Sequence, residues 1–156
     1  MDIVKGSVLD YEGEYKTCLV IPMDIRYPWK YSNSLAADKG VFKKVVKLYP
    51  KFKDGKWFKE LILPFYIKDG FILFPGKKDG LPFENDIAEE NIKNLIYTMT
   101  EVDRLMKSKL HYYIPLGDEN EDEFLNQALI KHFTKTNLEV TFTMEFRKEE
   151  NNESNK

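Results

Sequence analysis

The chain has 156 residues, 42% of them hydrophobic, and is long enough for one domain with a substantial core. Its 24 basic and 26 acidic side chains leave a net charge of −2 at pH 7, so bulk charge offers no attraction to nucleic acid. No apolar run approaches the roughly 20 residues of a membrane helix, and the N-terminal sequence lacks a signal-peptide core, so no membrane partner is expected.

The first part of the chain predicts two strands and then a helix. DIVKGSVL (2–9) and KTCLVIPM (16–23) have the apolar, β-rich composition of strands, and Pro22 is expected to end the second one. In the stretch 32–50, apolar residues recur at helical spacing until Pro50 stops the pattern.

The single cysteine, Cys18, lies in the apolar run TCLVIP, which favours a buried free thiol. One cysteine cannot form a disulfide within the chain. The cysteine usage is therefore compatible with a reducing compartment, and we expect a cytoplasmic protein.

The middle of the chain predicts a hairpin. LILPFYI (61–67) and FILFP (71–75) are apolar and flank the short turn KDG, so they are expected to pair antiparallel. FILFP continues into Gly76 and Lys77. A lysine beside the exposed N–H groups of a strand end can hold an anion, although the same residues would also serve as an ordinary strand exit.

The second half repeats the alternation of strand and helix. Its predicted elements are a helix over 91–106, a strand over 110–117, a helix over 121–136 and a strand over 138–146. The last ten residues, 147–156, are polar and are predicted to be a disordered tail, which leaves one domain over 1–146. Strands that alternate with helices indicate an α/β domain with a mixed sheet. Ligands of such sheets gather at the carboxyl ends of strands, so the loops after Pro22, Pro75 and Pro115 are the candidate site.

Four short motifs, in this order and spacing, resemble a known family. They are KGSV (5–8), KGVFKKVVKLYP (39–50), FPGK (74–77) and IPLG (114–117), and with their spacing they cover residues 3–143. This arrangement is similar to the macrodomain family. The resemblance is strongest to the branch with antitoxin-type macrodomains that remove ADP-ribose from DNA and with ADP-ribosyl-glutamate hydrolases.

The resemblance implies a three-layer α/β/α fold with a mixed sheet and a cleft for ADP-ribose or a related nucleotide, without a cofactor or a metal. It also implies candidate catalytic residues for removing ADP-ribose from DNA or protein. Lys77 corresponds to the lysine of the family's Phe-Pro-Thr-Lys motif, and Asp24 falls near the strand-end asparagine that holds the distal ribose. Gly76 replaces the threonine of that motif.

The resemblance also implies a set of ligand-binding residues. Ser7 stands where the family has the aspartate that recognises the adenine amino group, and Asp10 is a candidate substitute for it. Lys39 and Gly40 would meet the phosphates, and Gly117 would allow a close approach of the backbone. The full set of implied ligand-binding residues is Ser7, Asp10, Lys39, Gly40, Phe74, Pro75, Gly76, Leu116 and Gly117.

The chain departs from the family after Gly117, where DENEDEF (118–124) contributes five acids in place of glycines that embrace a diphosphate. Three arrangements are open. The carboxylates can face the diphosphate and weaken its binding, point to solvent and cap the next helix, or hold a divalent cation that meets phosphate.

Other patterns point to other functions. HFT (132–134) matches half of the paired His-x-Thr motif of two-histidine phosphoesterases, but HYY (111–113) has no threonine at its third position, so His132 is expected to cap or flank a helix. RYPWKY (26–31) has the composition to stack an adenine ring or to form a packed surface loop. The rival to a nucleotide-binding protein is a non-enzymatic interaction module that keeps the fold with a closed cleft.

Overall fold

A computed structural model of the protein describes residues 2–25, 65–67, 70–78 and 80–145. Several predictions from the sequence lie outside these residues. They are the helix over 32–50 with Lys39 and Gly40, the aromatic group 26–31 and the tail 147–156.

The described residues form seven strands, two α-helices and a short 3-10 helix. The strands are β1 (Asp2–Lys5), β2 (Thr17–Ile25), β3 (Phe65–Ile67), β4 (Phe71–Lys78), β5 (Leu81–Pro82), β6 (His111–Pro115) and β7 (Glu139–Met144). The helices are α1 (Asn85–Met106) and α2 (Glu123–Thr134), and the 3-10 helix spans Val8–Tyr11. No helix among the described residues has the length and apolar character to cross a membrane.

All the strands belong to one mixed sheet in the order β1-β7-β6-β2-β4-β3, with β5 paired to β4. The first five strands of this order run parallel, whereas β3 and β5 run antiparallel to β4. The predicted mixed sheet and the predicted hairpin of β3 and β4 are therefore confirmed. Because β1, β7, β6, β2 and β4 are parallel, their carboxyl ends meet at one edge of the sheet.

Both α-helices pack against the same face of this sheet. Alternate residues of β2, β4, β6 and β7 join the inner faces of α1 and α2 in one core cluster. Its fully or nearly fully buried members include Val20, Ile72, Phe74, Ile92, Leu95, Met99, Tyr112, Phe133 and Phe142. Burial of each such side chain stabilises the fold by about 1.5–3 kcal/mol. The buried Tyr112 hydroxyl lies 2.8 Å from Asp103 Oδ1 and 3.0 Å from the Met99 carbonyl oxygen, the two acceptors its single hydrogen can reach, and this contact ties β6 to α1.

The opposite face of the sheet is buried as well. Its apolar side chains Leu19, Ile21, Met23, Phe71 and Leu73 are all at most 2% exposed. The 3-10 helix contributes to this second layer, because Tyr11 stacks on Tyr113 with 4.0 Å between the ring centroids. A sheet covered on both faces explains why the strand sequences are continuous apolar runs, not alternating ones.

The first predicted strand, over 2–9, was too long. β1 ends at Lys5 because Gly6 adopts a positive φ of 123°, although the Gly6 N–H still donates to the Met144 carbonyl of β7 at 2.9 Å. Ser7 then caps the 3-10 helix. The glycine therefore turns the chain from β1 into the second layer.

The prediction that Pro22 ends the second strand was wrong. β2 continues to Ile25, with a register shift between Met23 and Asp24. The Leu19 N–H donates to the Gly70 carbonyl and therefore faces β4. Backbone N–H groups of successive residues in a strand point to opposite sides, so the nitrogen of Pro22, three residues later, faces β6. Pairing with β6 ends at Leu19, and the missing N–H of the proline therefore costs no ladder hydrogen bond.

Candidate functional site

The carboxyl edge of the sheet brings the two candidate catalytic residues together. β2 lies between β4 and β6, and Asp24 is the register partner of Lys77 across the pairing of β2 with β4. Gly76 is the extra residue of a bulge, because Met23 pairs with Pro75 while Asp24 pairs with Lys77. Because Gly76 is left unpaired, Lys77 takes the position opposite Asp24 at the end of the sheet.

Lys77 reaches from β4 to the acidic loop, which we define as residues 118–122. Its Nζ lies 3.3 Å from Glu121 Oε2, and the two side chains are 31% and 68% exposed. An ion pair this exposed contributes about 0–1 kcal/mol. The pair therefore orients the lysine without fixing it in place.

The backbone of Gly117 is hydrogen-bonded to a side chain of α2. Its N–H donates to Asn126 Oδ1 at 2.9 Å, and Asn126 Nδ2 donates back to the Gly117 carbonyl at 3.0 Å. Asn126 is 7% exposed and lies in the first turns of the helix. The peptide groups of Gly117 are thus bonded within the protein, where the resemblance expected them to face a ligand.

Asp122 packs directly against Gly117. A Cβ built on Gly117 would overlap the Asp122 carboxylate and lie 2.7 Å from its Cγ and 2.9 Å from its Cβ. The lack of a side chain at 117 is therefore required by contact with Asp122. No positive φ is involved at this glycine.

The environment of Asp122 disfavours its charge. The residue is 8% exposed, and its Oδ1 is buried without a hydrogen-bond partner among the described residues. Burial raises the pKa of the carboxyl, the charge of Lys77 opposes the rise, and the charge of Glu121 adds to it. The Asp122 carboxyl consequently holds a proton to a higher pH than an ordinary aspartate does.

The acids of the loop have separate roles, and the exposure of Asp118, Glu119 and Glu121 agrees with the arrangement in which the carboxylates point to solvent. Asp118 Oδ1 accepts the N–H groups of Asn120 at 2.7 Å and Glu121 at 3.3 Å and so shapes the turn. Asp122 occupies the N-cap position of α2 but makes no side-chain capping hydrogen bond, so the capping arrangement is wrong for this residue. Within the described ranges, no three His, Cys, Asp or Glu residues are grouped to hold a metal ion.

Ser7 and Asp10 lie at the same edge but at its far side, after β1. Ser7 Oγ accepts the Leu9 N–H at 3.2 Å, and Asp10 Oδ2 accepts the Ser7 N–H at 3.1 Å, in a reciprocal capping box. β1 and β4 are four strand spacings apart, or roughly 19 Å. The two residues therefore do not approach Lys77.

The remaining candidate residues lie close to the edge or in the core. Phe74 is 2% exposed and its side chain belongs to the core on the helix-covered face. Leu116 extends the pairing of β6 through a 2.7 Å hydrogen bond from its N–H to the Thr143 carbonyl, and its side chain packs on the core. Asn126 was not anticipated from the sequence, because a single asparagine within a helix gives no local signal of its contact with Gly117.

The two histidines are not brought together. His132 Nε2 lies 2.9 Å from Glu89 Oε1 and links α2 to α1. His111 stacks on Tyr113 and contacts Thr141 Oγ1 at 2.7 Å, on the opposite face of the sheet. His132 therefore flanks a helix, in line with the prediction, and no two-histidine site forms.

Solved structures of macrodomains share this arrangement of strands and helices. The macrodomain of Thermus aquaticus DarG is similar with a TM-score of 0.64 and 15% identity, over 93% of this chain and 97% of that one. Thermosipho africanus DarTG in complex with ADP-ribose is similar with a TM-score of 0.60 and 15% identity, over 92% of this chain and 42% of that one. A macrodomain protein from Streptomyces coelicolor has a TM-score of 0.61 and 8% identity, over 91% and 97% of the two chains.

Sequence comparison alone does not find this relationship, since no protein-family model and no curated protein matches the chain. The identities to the three structures show that the likeness lies in the backbone, with few shared side chains. The chain therefore has the macrodomain fold, as its four short motifs indicated.

Proposed function

We propose that the protein binds ADP-ribose or a related ADP-ribose-derived nucleotide at the carboxyl edge of its sheet. One solved structure with the same fold is a complex with ADP-ribose, which supports this choice of ligand. The observation that carries the proposal is the position of Lys77, a partly exposed cation at the end of β4 beside Asp24 and facing the loop after Gly117. A cation at the end of parallel strands suits a phosphorylated ligand.

Calorimetry with ADP-ribose and with ADP tests this proposal. We expect saturable heat with ADP-ribose, and binding about tenfold weaker or worse in Lys77→Ala, because a charge-assisted hydrogen bond contributes about 1.5–3 kcal/mol. Lys109→Ala is the matched control, since Lys109 is an exposed lysine just before β6, at the opposite edge of the sheet. Equal affinity in wild type and Lys77→Ala would contradict the role of Lys77.

Hydrolytic removal of ADP-ribose from DNA or protein is the second part of the proposal. Water would replace the DNA or protein group at the anomeric carbon of the distal ribose, giving its oxygen to the sugar and a proton to the leaving group. The Lys77 ammonium, beside a phosphate or the leaving group, would stabilise the negative charge that the leaving group gains as the glycosidic bond breaks. Asp24, its register partner, would hold the ribose hydroxyls. Release of ADP-ribose from a modified DNA or protein substrate measures this activity, and Asp24→Ala and Lys77→Ala should each reduce it. Binding without release would identify a reader in place of a hydrolase.

A protein-interaction module with a closed cleft is the second candidate, and the contacts of Gly117 favour it. The Gly117 N–H is taken by Asn126 and the space beside the glycine by Asp122. The absence of calorimetric heat with every nucleotide would support this candidate. The buried free thiol of Cys18 fits a reducing cytoplasmic setting for either function.

A further inference from the structure

Lys77 already has an anionic partner within the protein. Glu121 Oε2 lies 3.3 Å from Lys77 Nζ, so this carboxylate stands beside the ammonium that a ligand phosphate would also bind. The carboxylate comes from the acidic loop, which follows β6, whereas Lys77 ends β4. The contact therefore bridges two of the strand ends that border the proposed site.

We propose that Glu121 is a selectivity residue that competes with the anionic group of the ligand for Lys77. This inference rests on the proposed binding site at the carboxyl edge. An anionic ligand binds by displacing the Glu121 carboxylate, whereas a neutral ligand does not need to displace it. Glu121 thereby reduces the advantage that Lys77 gives to phosphorylated ligands over uncharged ones.

The exposure of the two partners makes this exchange feasible. The Glu121 side chain is 68% exposed, so its carboxylate can turn into water without being buried elsewhere. The Lys77 side chain is 31% exposed, so its ammonium remains reachable from solvent. Because an exposed ion pair is weak, its separation by a ligand phosphate costs little free energy.

Asp122 behaves differently and stays in place. Its side chain is packed against Gly117, and the residue follows the turn that Asp118 stabilises. The Asp122 N–H donates to the Asp118 carbonyl at 2.7 Å, which fixes its backbone before α2 begins. Of these two acids, Glu121 is therefore the one that exchanges at Lys77.

The test compares Glu121→Gln with Glu119→Gln, which removes the same charge from an exposed position two residues away. We expect Glu121→Gln to bind ADP-ribose about threefold to fivefold more tightly than wild type at low salt. Glu119→Gln should change the affinity much less. Adenosine, which carries no phosphate, should bind wild type and Glu121→Gln equally.

A double variant separates the pair from the general charge of the loop, and a salt series tests whether the effect is electrostatic. In a Lys77→Met background, the substitution Glu121→Gln should have no effect, because the cation for which Glu121 competes is gone. At 1 M salt, where the screening length falls to about 3 Å, the gain from Glu121→Gln should shrink. The same gain in Glu119→Gln as in Glu121→Gln would overturn the inference.

Pyrophosphate serves as a second probe, so that this inference and the proposed function can fail separately. If ADP-ribose binds wild type and Glu121→Gln equally, the inference is overturned and the proposed function stands. If ADP-ribose does not bind but pyrophosphate binds Glu121→Gln more tightly and needs Lys77, the proposed function is overturned and the inference stands. If neither probe binds any variant, both are overturned.

Discussion

At the scale of single residues, Gly117 shows how one sequence feature can have two physical explanations. The motif IPLG predicted a glycine that lets a ligand phosphate approach the backbone. The structure gives an internal reason, because the Asp122 side chain occupies the space where a Cβ would lie. A glycine in a known motif therefore indicates a close approach, but only the structure identifies the approaching group.

Gly117→Ala should destabilise the protein by about 1–3 kcal/mol, because the new methyl group forces the Asp122 side chain out of its place. Thermal or urea unfolding measures the loss. Gly76→Ala is the matched control, since a Cβ there would meet Pro22 Cβ at an ordinary 3.5 Å. The double variant Gly117→Ala, Asp122→Gly should recover stability relative to Gly117→Ala. No recovery would show that contact with Asp122 is not the reason for the glycine.

The raised pKa of Asp122 predicts that the stability of the protein depends on pH. The variant Asp122→Asn isolates the contribution of this one carboxyl. Burial raises the pKa of this carboxyl in the folded state, so the folded protein binds the proton more tightly than the unfolded chain does. The contribution of this carboxyl to the free energy of unfolding is fully present below pH 3.8, the ordinary pKa of an aspartate. It is lost as the pH rises from that value through the raised pKa of the folded state.

The measurement compares the unfolding free energy of wild type and Asp122→Asn from pH 3 to pH 8. The asparagine variant should gain stability relative to wild type as the pH rises through this range, and the difference should level off once Asp122 is ionised. A difference that stays constant with pH, or that moves the other way, would contradict the raised pKa. Acids that do not interact with Asp122 are common to both proteins and cancel in the comparison.

At the scale of elements, patterns of apolar residues predicted most strands and helices but not their ends. α1 begins at Asn85, six residues before the predicted start, because the polar first turn of a helix has no apolar period. β5 is only two residues long and was missed within a polar stretch. β2 passes through Pro22 because its pairing with β6 has already ended there, a tertiary fact that no local pattern carries.

The junction between β6 and α2 depends on Asn126. Asn126→Ala should cost about 1–3 kcal/mol, because it removes two hydrogen bonds and leaves the N–H and carbonyl of Gly117 without these partners. Gln127→Ala is the control on the next residue, whose exposed side chain bonds only its own helix through Glu123 at 3.3 Å. We expect it to change the unfolding free energy by no more than about 0.5 kcal/mol. Equal effects in chemical unfolding would show that Asn126 does not hold the junction.

At the scale of the whole molecule, the fold could be predicted because its topology sets the order of strands and helices and the spacing of the four motifs along the chain. Both of these can be read from the sequence. The candidate site could be predicted only in part. The parallel strand order brings Asp24 and Lys77 together, and the motif FPGK pointed to the lysine. Its pairing with Glu121, 44 residues later in the chain, depends on the path of the acidic loop, which the sequence left open among three arrangements.

Substitutions of Phe74 test whether this motif residue contacts the ligand or stabilises the fold. Its side chain is 2% exposed within the core that joins the sheet to α1 and α2. Phe74→Ala should therefore destabilise the whole domain by about 3–5 kcal/mol, through the lost burial and the cavity that remains. For a domain of this size, the loss corresponds to a fall in Tm of about 2–4 °C per kcal/mol.

Phe124→Ala provides the comparison, because Phe124 lies on α2 with 39% exposure and loses the same atoms. Its unfolding transition should move much less than that of Phe74→Ala in the same calorimetric scan. Phe74→Leu, which keeps most of the apolar volume, should recover much of the stability that Phe74→Ala loses and bind ADP-ribose as wild type does. Wild-type stability with lost ADP-ribose binding in Phe74→Leu would instead assign the ring to the ligand. The core position of the ring leads us to expect that the first FPGK residue supports the sheet, while Lys77 at its end meets the ligand.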